Sequence, residues 1–178
     1  GASKNPPPVL FIGRNSSNGE IYRINGADTS SDNNEPFGAD FNNDLPDFPF
    51  VGSINVSSLY VNPDSANHVV ITYSNYDVPS VFESRNALAA IPSWTSMEGD
   101  MPNIPVNWGV AHPDKPEVFY LATEIGVFYT DSLNGNFTKW KVSPNFPNVR
   151  TDMLDIRESD LTILAATHGR GLFTGKIN

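Results

Sequence analysis

Phe119-Tyr120-Leu121-Ala122-Thr123-Glu124-Ile125-Gly126-Val127-Phe128 reads as two short strands closed by a tight turn. The first run is apolar and rich in aromatic and branched residues; glycine, an aliphatic and an aromatic then open the second. Helical spacing of apolar positions is absent from it. The unit occurs three more times. Leu10-Phe11-Ile12-Gly13-Arg14 leads to Glu20-Ile21-Tyr22, and Val70-Ile71-Thr72-Tyr73 leads to Ser80-Val81-Phe82. The last copy is Ile163-Leu164-Ala165-Ala166-Thr167 leading to Gly171-Leu172-Phe173. The closing aromatics, at 22, 82, 128 and 173, are separated by 60, 46 and 45 residues.

Two further markers keep the same beat. A Pro-polar-apolar-Pro connector occurs as Pro46-Asp47-Phe48-Pro49, Pro102-Asn103-Ile104-Pro105 and Pro144-Asn145-Phe146-Pro147. Asn62-Pro63-Asp64 and His112-Pro113-Asp114 supply turn chemistry between two strands, with Arg157-Glu158-Ser159-Asp160 in that place in the last copy. Three markers in one order define a repeat of about 45 residues with four strands, the size of a β-propeller blade. We name the strands a to d outwards from the axis. The b and c strands form the Gly-aromatic hairpin; d is expected at Phe37–Phe41, Trp94–Met97 and Thr138–Val142. A β-sandwich would not repeat three markers in register. The only helical flavour, at Ala87–Ile91, is too short to stand alone and ends at Pro92.

The chain parses as a tag remnant or linker at 1–8, a partial blade (b-c-d) at 9–55 with an acidic insert at 27–36, full blades at 56–105 and 106–148, and a last blade at 149–178 without its outer strand. The fold class expected is all-β: about three and a half blades of four antiparallel strands, the C-terminal part of a larger propeller. Ile71, Val81, Phe82, Val110, Tyr120, Phe128, Ile163, Leu164, Leu172 and Phe173 should be buried between neighbouring blades.

Composition narrows the work such a chain can do. The 178 residues carry 20 acidic and 11 basic side chains, a net charge of -9, which disfavours nucleic-acid and anionic-membrane partners. Without cysteine there is no disulfide, thiolate metal site or thiol nucleophile. No apolar run approaches the ~20 residues of a membrane span, so no membrane insertion is expected.

Val106 to Phe173 resembles the secreted bacterial propellers of the BNR or Asp-box repeat group. That group is similar to the family-74 glycoside hydrolases (xyloglucanases) and the ten-bladed sortilin-type propellers. The resemblance rests on Pro105-Val106-Asn107-Trp108, His112-Pro113-Asp114, Val118–Thr123, Gly126-Val127-Phe128 and above all Ala166-Thr167-His168-Gly169-Arg170-Gly171-Leu172-Phe173. It implies a bacterial secreted or cell-surface protein. The box itself is degraded, to Ser84-Arg85-Asn86 before Trp94 and Ser132-Leu133-Asn134-Gly135 before Trp140, and reads as a structural turn between c and d. Since one propeller scaffold hosts many activities, function is argued from the sites.

The b–c turns hold the candidate ligand-binding residues: Arg14 and Asn15, Tyr76 and Asp77, Glu124, and His168 with Arg170. Equivalent turns should share one face, a rim of charge, amide and aromatic suited to sugar or peptide. Gly169 and Gly171 imply positive φ or a close backbone approach. The competing reading of the His168–Arg170 turn is structural, with the arginine holding backbone carbonyls. Asp77, Asp100 and Glu124 are the loop acids open to catalysis, whereas solvated loop acids are commonplace. A glycosidase pair would stand ~5–9.5 Å apart. The six arginines (14, 23, 85, 150, 157, 170) scatter over both strand faces and form no sialidase triad. Asp40, Asn42 and Asp44 have the alternating oxygens of a calcium loop, against which Asp44 recurs as Asp100 beside a connector. His68, His112 and His168 lack metal-binding spacing. The sequons at Asn15, Asn55 and Asn136 are no more than chance supplies.

These readings converge on an extracellular binding propeller, recognising glycan or protein, within a larger secreted or surface protein. The alternative is the C-terminal half of a xyloglucanase-like glycoside hydrolase whose catalytic Asp residues lie outside this chain. No cofactor is expected beyond the calcium candidate. The unfinished first and last blades should pair with the missing N-terminal half or with a second copy of the chain.

Overall fold

Alternation of burial sets the first sheet. In β1 (Val9–Gly13) Val9 and Phe11 are buried while Leu10 and Ile12 are half-exposed, and β2 (Ile21–Asn25) repeats the pattern. One face is packed, as period-two apolar patterning requires. The computed structural model describes residues 9–16, 19–25, 39–40 and 53–177. Residues 1–8, the insert at 27–36, the Pro46–Pro49 connector, Asn42 and Asp44 lie outside them.

Within the described residues the chain is all-β, with no α-helix and a single 3-10 turn at Gly135–Phe137. Among the described residues fourteen strands form four antiparallel meanders. β3 (Ala39–Asp40) joins β1 and β2 in the first. The second comprises β4 (Val56–Val61), β5 (Val69–Tyr73), β6 (Val81–Ser84) and β7 (Thr95–Ser96). The third comprises β8 (Val106–His112), β9 (Lys115–Thr123), β10 (Gly126–Thr130) and β11 (Lys141–Val142). β12 (Thr151–Arg157), β13 (Thr162–Thr167) and β14 (Gly171–Lys176) form the fourth. The expected outer strands shrink to two-residue ladders: Trp94 and Trp140 stand just before them, their rings turned into the core. Ala87–Ile91 forms turns and bends.

The sheets stack face on face in chain order, each gap filled by its own apolar cluster. Phe11 and Ile21 meet Ile71, Tyr73 and Phe82 between the first two sheets. Val70 and Val81 meet Phe119, Leu121, Phe128 and Trp140 between the second and third. Ala122 and Val127 meet Leu154, Ala165 and Phe173 between the third and fourth. β5 has a sheet on both sides, and all five of its residues are buried. Its unbroken Val-Val-Ile-Thr-Tyr run is the sequence form of that double burial.

The expected core needs correction at Leu164 and Leu172, both on the outward face of the fourth sheet. Leu164, paired with Asp155 and Thr174, is only partly buried and belongs to none of the apolar clusters. Leu172 is 67% exposed, because it pairs with Ala166 on the face of the fourth sheet that looks away from the third. Its neighbour Phe173 alternates onto the packed face. Val110, Tyr120, Ile163 and Phe173 are half-buried against the third gap, while Ile71, Val81, Phe82 and Phe128 are buried.

The turn marker has a physical cause. Asn62 Oδ1 accepts the Asp64 N–H at 2.9 Å, and His112 Nδ1 accepts the Asp114 N–H at 3.1 Å. Asparagine and histidine thus do the same work ahead of Pro-Asp. In the last copy Arg157 closes the turn on Asp160 with two 2.8 Å bonds instead.

Candidate functional site

Each inner strand opens with the same irregularity. The pairing of β4 with β5, β8 with β9 and β12 with β13 shifts between Val56 and Ser58, Val106 and Trp108, and Thr151 and Met153. The extra residues are Ser57, Asn107 and Asp152. A bulge leaves its residue out of the ladder and re-aims its side chain. Ser57 Oγ donates to the Val106 carbonyl at 2.6 Å and Asn107 Nδ2 to the Thr151 carbonyl at 2.9 Å. The first two bulges therefore tie the start of one inner strand to the start of the next.

The hairpin turns between the second and third strands return to this same end. The N–H groups of Ser74, Glu124 and His168 donate to the carbonyls of Asn55, Pro105 and Arg150, just ahead of the three inner strands. The turn residues thus gather at one end of the stack. Arg14 and Asn15 are exposed there, with Arg14 3.2 Å from Glu20. Tyr76 is 54% exposed. Asp77 sits at φ +62° and is stapled to the connector: its N–H donates to Asn103 Oδ1 at 2.8 Å and its Oδ1 accepts Asn103 Nδ2 at 2.6 Å. That bidentate contact gives Asp77 a structural task.

Glu124 and His168 are joined by residues the sequence reading had not singled out for binding. Arg150 Nη1 lies 3.4 Å from Glu124 Oε1, and its Nε donates to Asp152 Oδ1 at 2.7 Å. His168 Nδ1 lies 3.6 Å from Asp152 Oδ2, and Asn107 Nδ2 also reaches Glu124 Oε1 at 3.4 Å. The carboxylates hold the Arg150 guanidinium charged, its Asp152 bond raising the pKa most. His168 is 73% exposed. Arg170 is exposed and makes no hydrogen bond or ion pair among the described residues, so it does not hold the turn's carbonyls. Gly169 and Gly171 stand at φ +84° and +76° with nothing within 4 Å of an added Cβ, which makes their role conformational.

The arrangement is an open polar surface with donors and acceptors interleaved. Asp100 is spent elsewhere: the Trp140 N–H on Oδ1 at 2.8 Å, with Lys139 on Oδ2 at 3.2 Å, holds its carboxyl well below the usual range. Arginines 14, 85 and 157 pair with carboxylates beside them, and buried Arg23 donates to the Ala87 carbonyl at 2.7 Å. No arginine triad is built from these groups. Asp40 lies on β3 opposite Tyr22, and no cluster of three metal-ligating side chains occurs among the described residues. No helix among them is long and apolar enough to cross a membrane. No protein-family model matches the chain, and no curated protein matches it either.

Proposed function

We propose that these four sheets are consecutive blades of a larger β-propeller, an extracellular module that binds glycan through the bulge-and-turn end of the stack. The observation that carries this reading is the Glu124–Arg150–Asp152–His168 network with Asn107 at its flank. It presents charged and amide groups on two adjacent sheets, beside the unengaged Arg170. Sugar hydroxyls both donate and accept, and a surface of fixed carboxylates, amide and guanidinium satisfies both roles. The resemblance to BNR and Asp-box propellers supports a secreted or cell-surface setting. A protein ligand on the same rim is the nearest variant. In the glycoside hydrolase alternative this end would carry substrate while carboxylates outside the chain perform the chemistry.

The test is a glycan array probed with the chain, followed by titration of the best hit into R150A and D152N. Both substitutions dismantle the network at an exposed site, so the fold should survive. Binding weakened at least about tenfold in both is the expected result. Unchanged binding in both variants, or no glycan bound at all, overturns the reading.

A further inference from the structure

Phe82 and Phe128 hold the same place on β6 and β10, and twelve residues beyond each stands a tryptophan, Trp94 and Trp140. Each tryptophan immediately precedes its outer strand. That strand then pairs with the aromatic: Ser96 faces Phe82 and Val142 faces Phe128. Both tryptophans enter the apolar gap in which their partner phenylalanine lies. Trp140 is further fixed by Nε1, which donates to the Met97 carbonyl at 2.9 Å.

Phe173 holds this place on the fourth sheet, its ring 5.4 Å from that of Phe146. β14, however, is an edge strand with no outer neighbour among the described residues. No tryptophan beside Phe173 plays this part among the described residues, the remaining tryptophan, Trp108, standing on β8. Where the tryptophan would lie, the gap between the third and fourth sheets opens into a groove of about 650 Å³. Tyr120, Val127 and Tyr129 line one wall; Ile163, Phe173 and Gly175 line the other. Gly175 stands where Ser84 and Thr130 stand in the other sheets, and a Cβ there would meet only Ile163 Cγ2, at 3.8 Å.

We infer that this groove receives an extended strand that pairs with β14 and inserts a tryptophan beside Phe173. The chain itself specifies the occupant, since it fills the same position twice with Trp-bearing outer strands. Main-chain bonds along an open edge supply affinity, and the aromatic pocket supplies selectivity. A partner strand of this chemistry would also cover an edge that otherwise invites unspecific pairing. The inference stands on the repeat of the second and third sheets and not on glycan binding at the rim, so either experiment can fail without the other.

The probe is an end-blocked peptide of residues 91–97, Ile-Pro-Ser-Trp-Thr-Ser-Met, which carries no charge to be attracted or repelled by the acidic chain. It should bind saturably and shift the backbone amide resonances of Phe173 to Lys176. The same peptide with Trp94→Ala should bind at least about tenfold more weakly. In the chain, G175L should fill the groove, raise Tm and weaken the peptide by a similar factor. Equal binding of both peptides, shifts confined to β6 or β10, or no saturable binding at millimolar peptide overturns the inference. The peptide comparison needs no altered protein and decides the matter even where G175L misfolds.

Discussion

Asp152 differs from Ser57 and Asn107 in one respect: the bulge residue of the last sheet is an acceptor where the other two donate to the following sheet. Its carboxylate turns back to Arg150 and His168, and an inserted residue becomes part of the candidate site. Elsewhere, single polar groups set the stability. Asn62 Nδ2 donates to His68 Nδ1, so Nε2 carries the proton donated to Glu83 Oε1 at 2.8 Å, all three side chains being buried. Glu83→Ala leaves that buried donor without its acceptor and removes the partner of the exposed Arg85, and should cost about 2–4 kcal/mol in denaturant unfolding. Glu98 behaves in the opposite sense. Burial raises its carboxyl pKa, against the opposing pull of the Ser80 and Val81 N–H groups. The folded chain therefore binds this proton more tightly than the unfolded chain, and stability from Glu98 increases as pH falls toward 4.5. Glu98→Gln should raise Tm at about pH 7 and lose that advantage near pH 4; an advantage that grows in acid would contradict the placement. Asp160, its carboxyl lowered first by Arg157 and then by Lys176, stabilises at neutral pH and loses its contribution as pH drops below the ordinary 3.8. At this scale the sequence disclosed the turn residues Glu124 and His168 through the repeat. It concealed Arg150 and Asp152, because a bulge breaks the alternation by which strand residues are placed. Aligning Val-Ser-Ser, Val-Asn-Trp and Thr-Asp-Met would have exposed them.

The central strands were the most legible elements. β1 and β10 begin and end where their apolar runs do, and β5 is recognisable as a strand packed on both faces. The outer strands were legible only as segments: their apolar residues serve the inter-sheet gap and not the ladder, so a Trp-centred run marks a packing site beside a two-residue strand. The segments that flank the outer strands carry a comparable burden. Gly99, after β7, sits at φ +52°, and a Cβ there would lie 2.0 Å from the Thr138 carbonyl oxygen. Neither backbone can yield cheaply, so Gly99→Ala should cost at least about 2 kcal/mol and loosen the two outer strands together. Urea unfolding measures the loss, and a change below about 0.5 kcal/mol would sink the argument. The paired substitutions Phe128→Ala and Leu172→Ala test the stacking itself. The first empties a side chain 4% exposed in the second gap and should cost about 3–5 kcal/mol. The second removes one 67% exposed, on a face with no neighbour among the described residues, and should cost under about 0.5 kcal/mol.

At the scale of the whole molecule, neither end sheet has a further sheet stacked on its outward face among the described residues. The outward face of the fourth sheet aligns Met153, Ala166 and Leu172 in one row across its three strands, with Met153 44% and Leu172 67% exposed. The first sheet turns Leu10 against Ile24 and Ile12 against Tyr22 on the side away from its packed face. Apolar area left in water forfeits about 25 cal/mol per Å², and a row of exposed apolar side chains on an incomplete sheet is an association surface. The strand count of three and a half fours, doubled, would suggest a seven-sheet ring for a self-paired chain. The topology alters that arithmetic: each end sheet holds its own central hairpin and cannot merge with another, so two copies bring eight sheets. The isolated chain should therefore self-associate, the fourth sheet of one copy against the first of the next, and close as a dimer if the rotation permits. Sedimentation at micromolar concentration should show a dimer or larger species. M153K with L172K, on exposed positions that tolerate charge, should return the chain to a monomer without lowering its melting cooperativity. A wild-type chain that sediments as a monomer across that range would mean the end faces are tolerated in water, and the dimer would have to be abandoned.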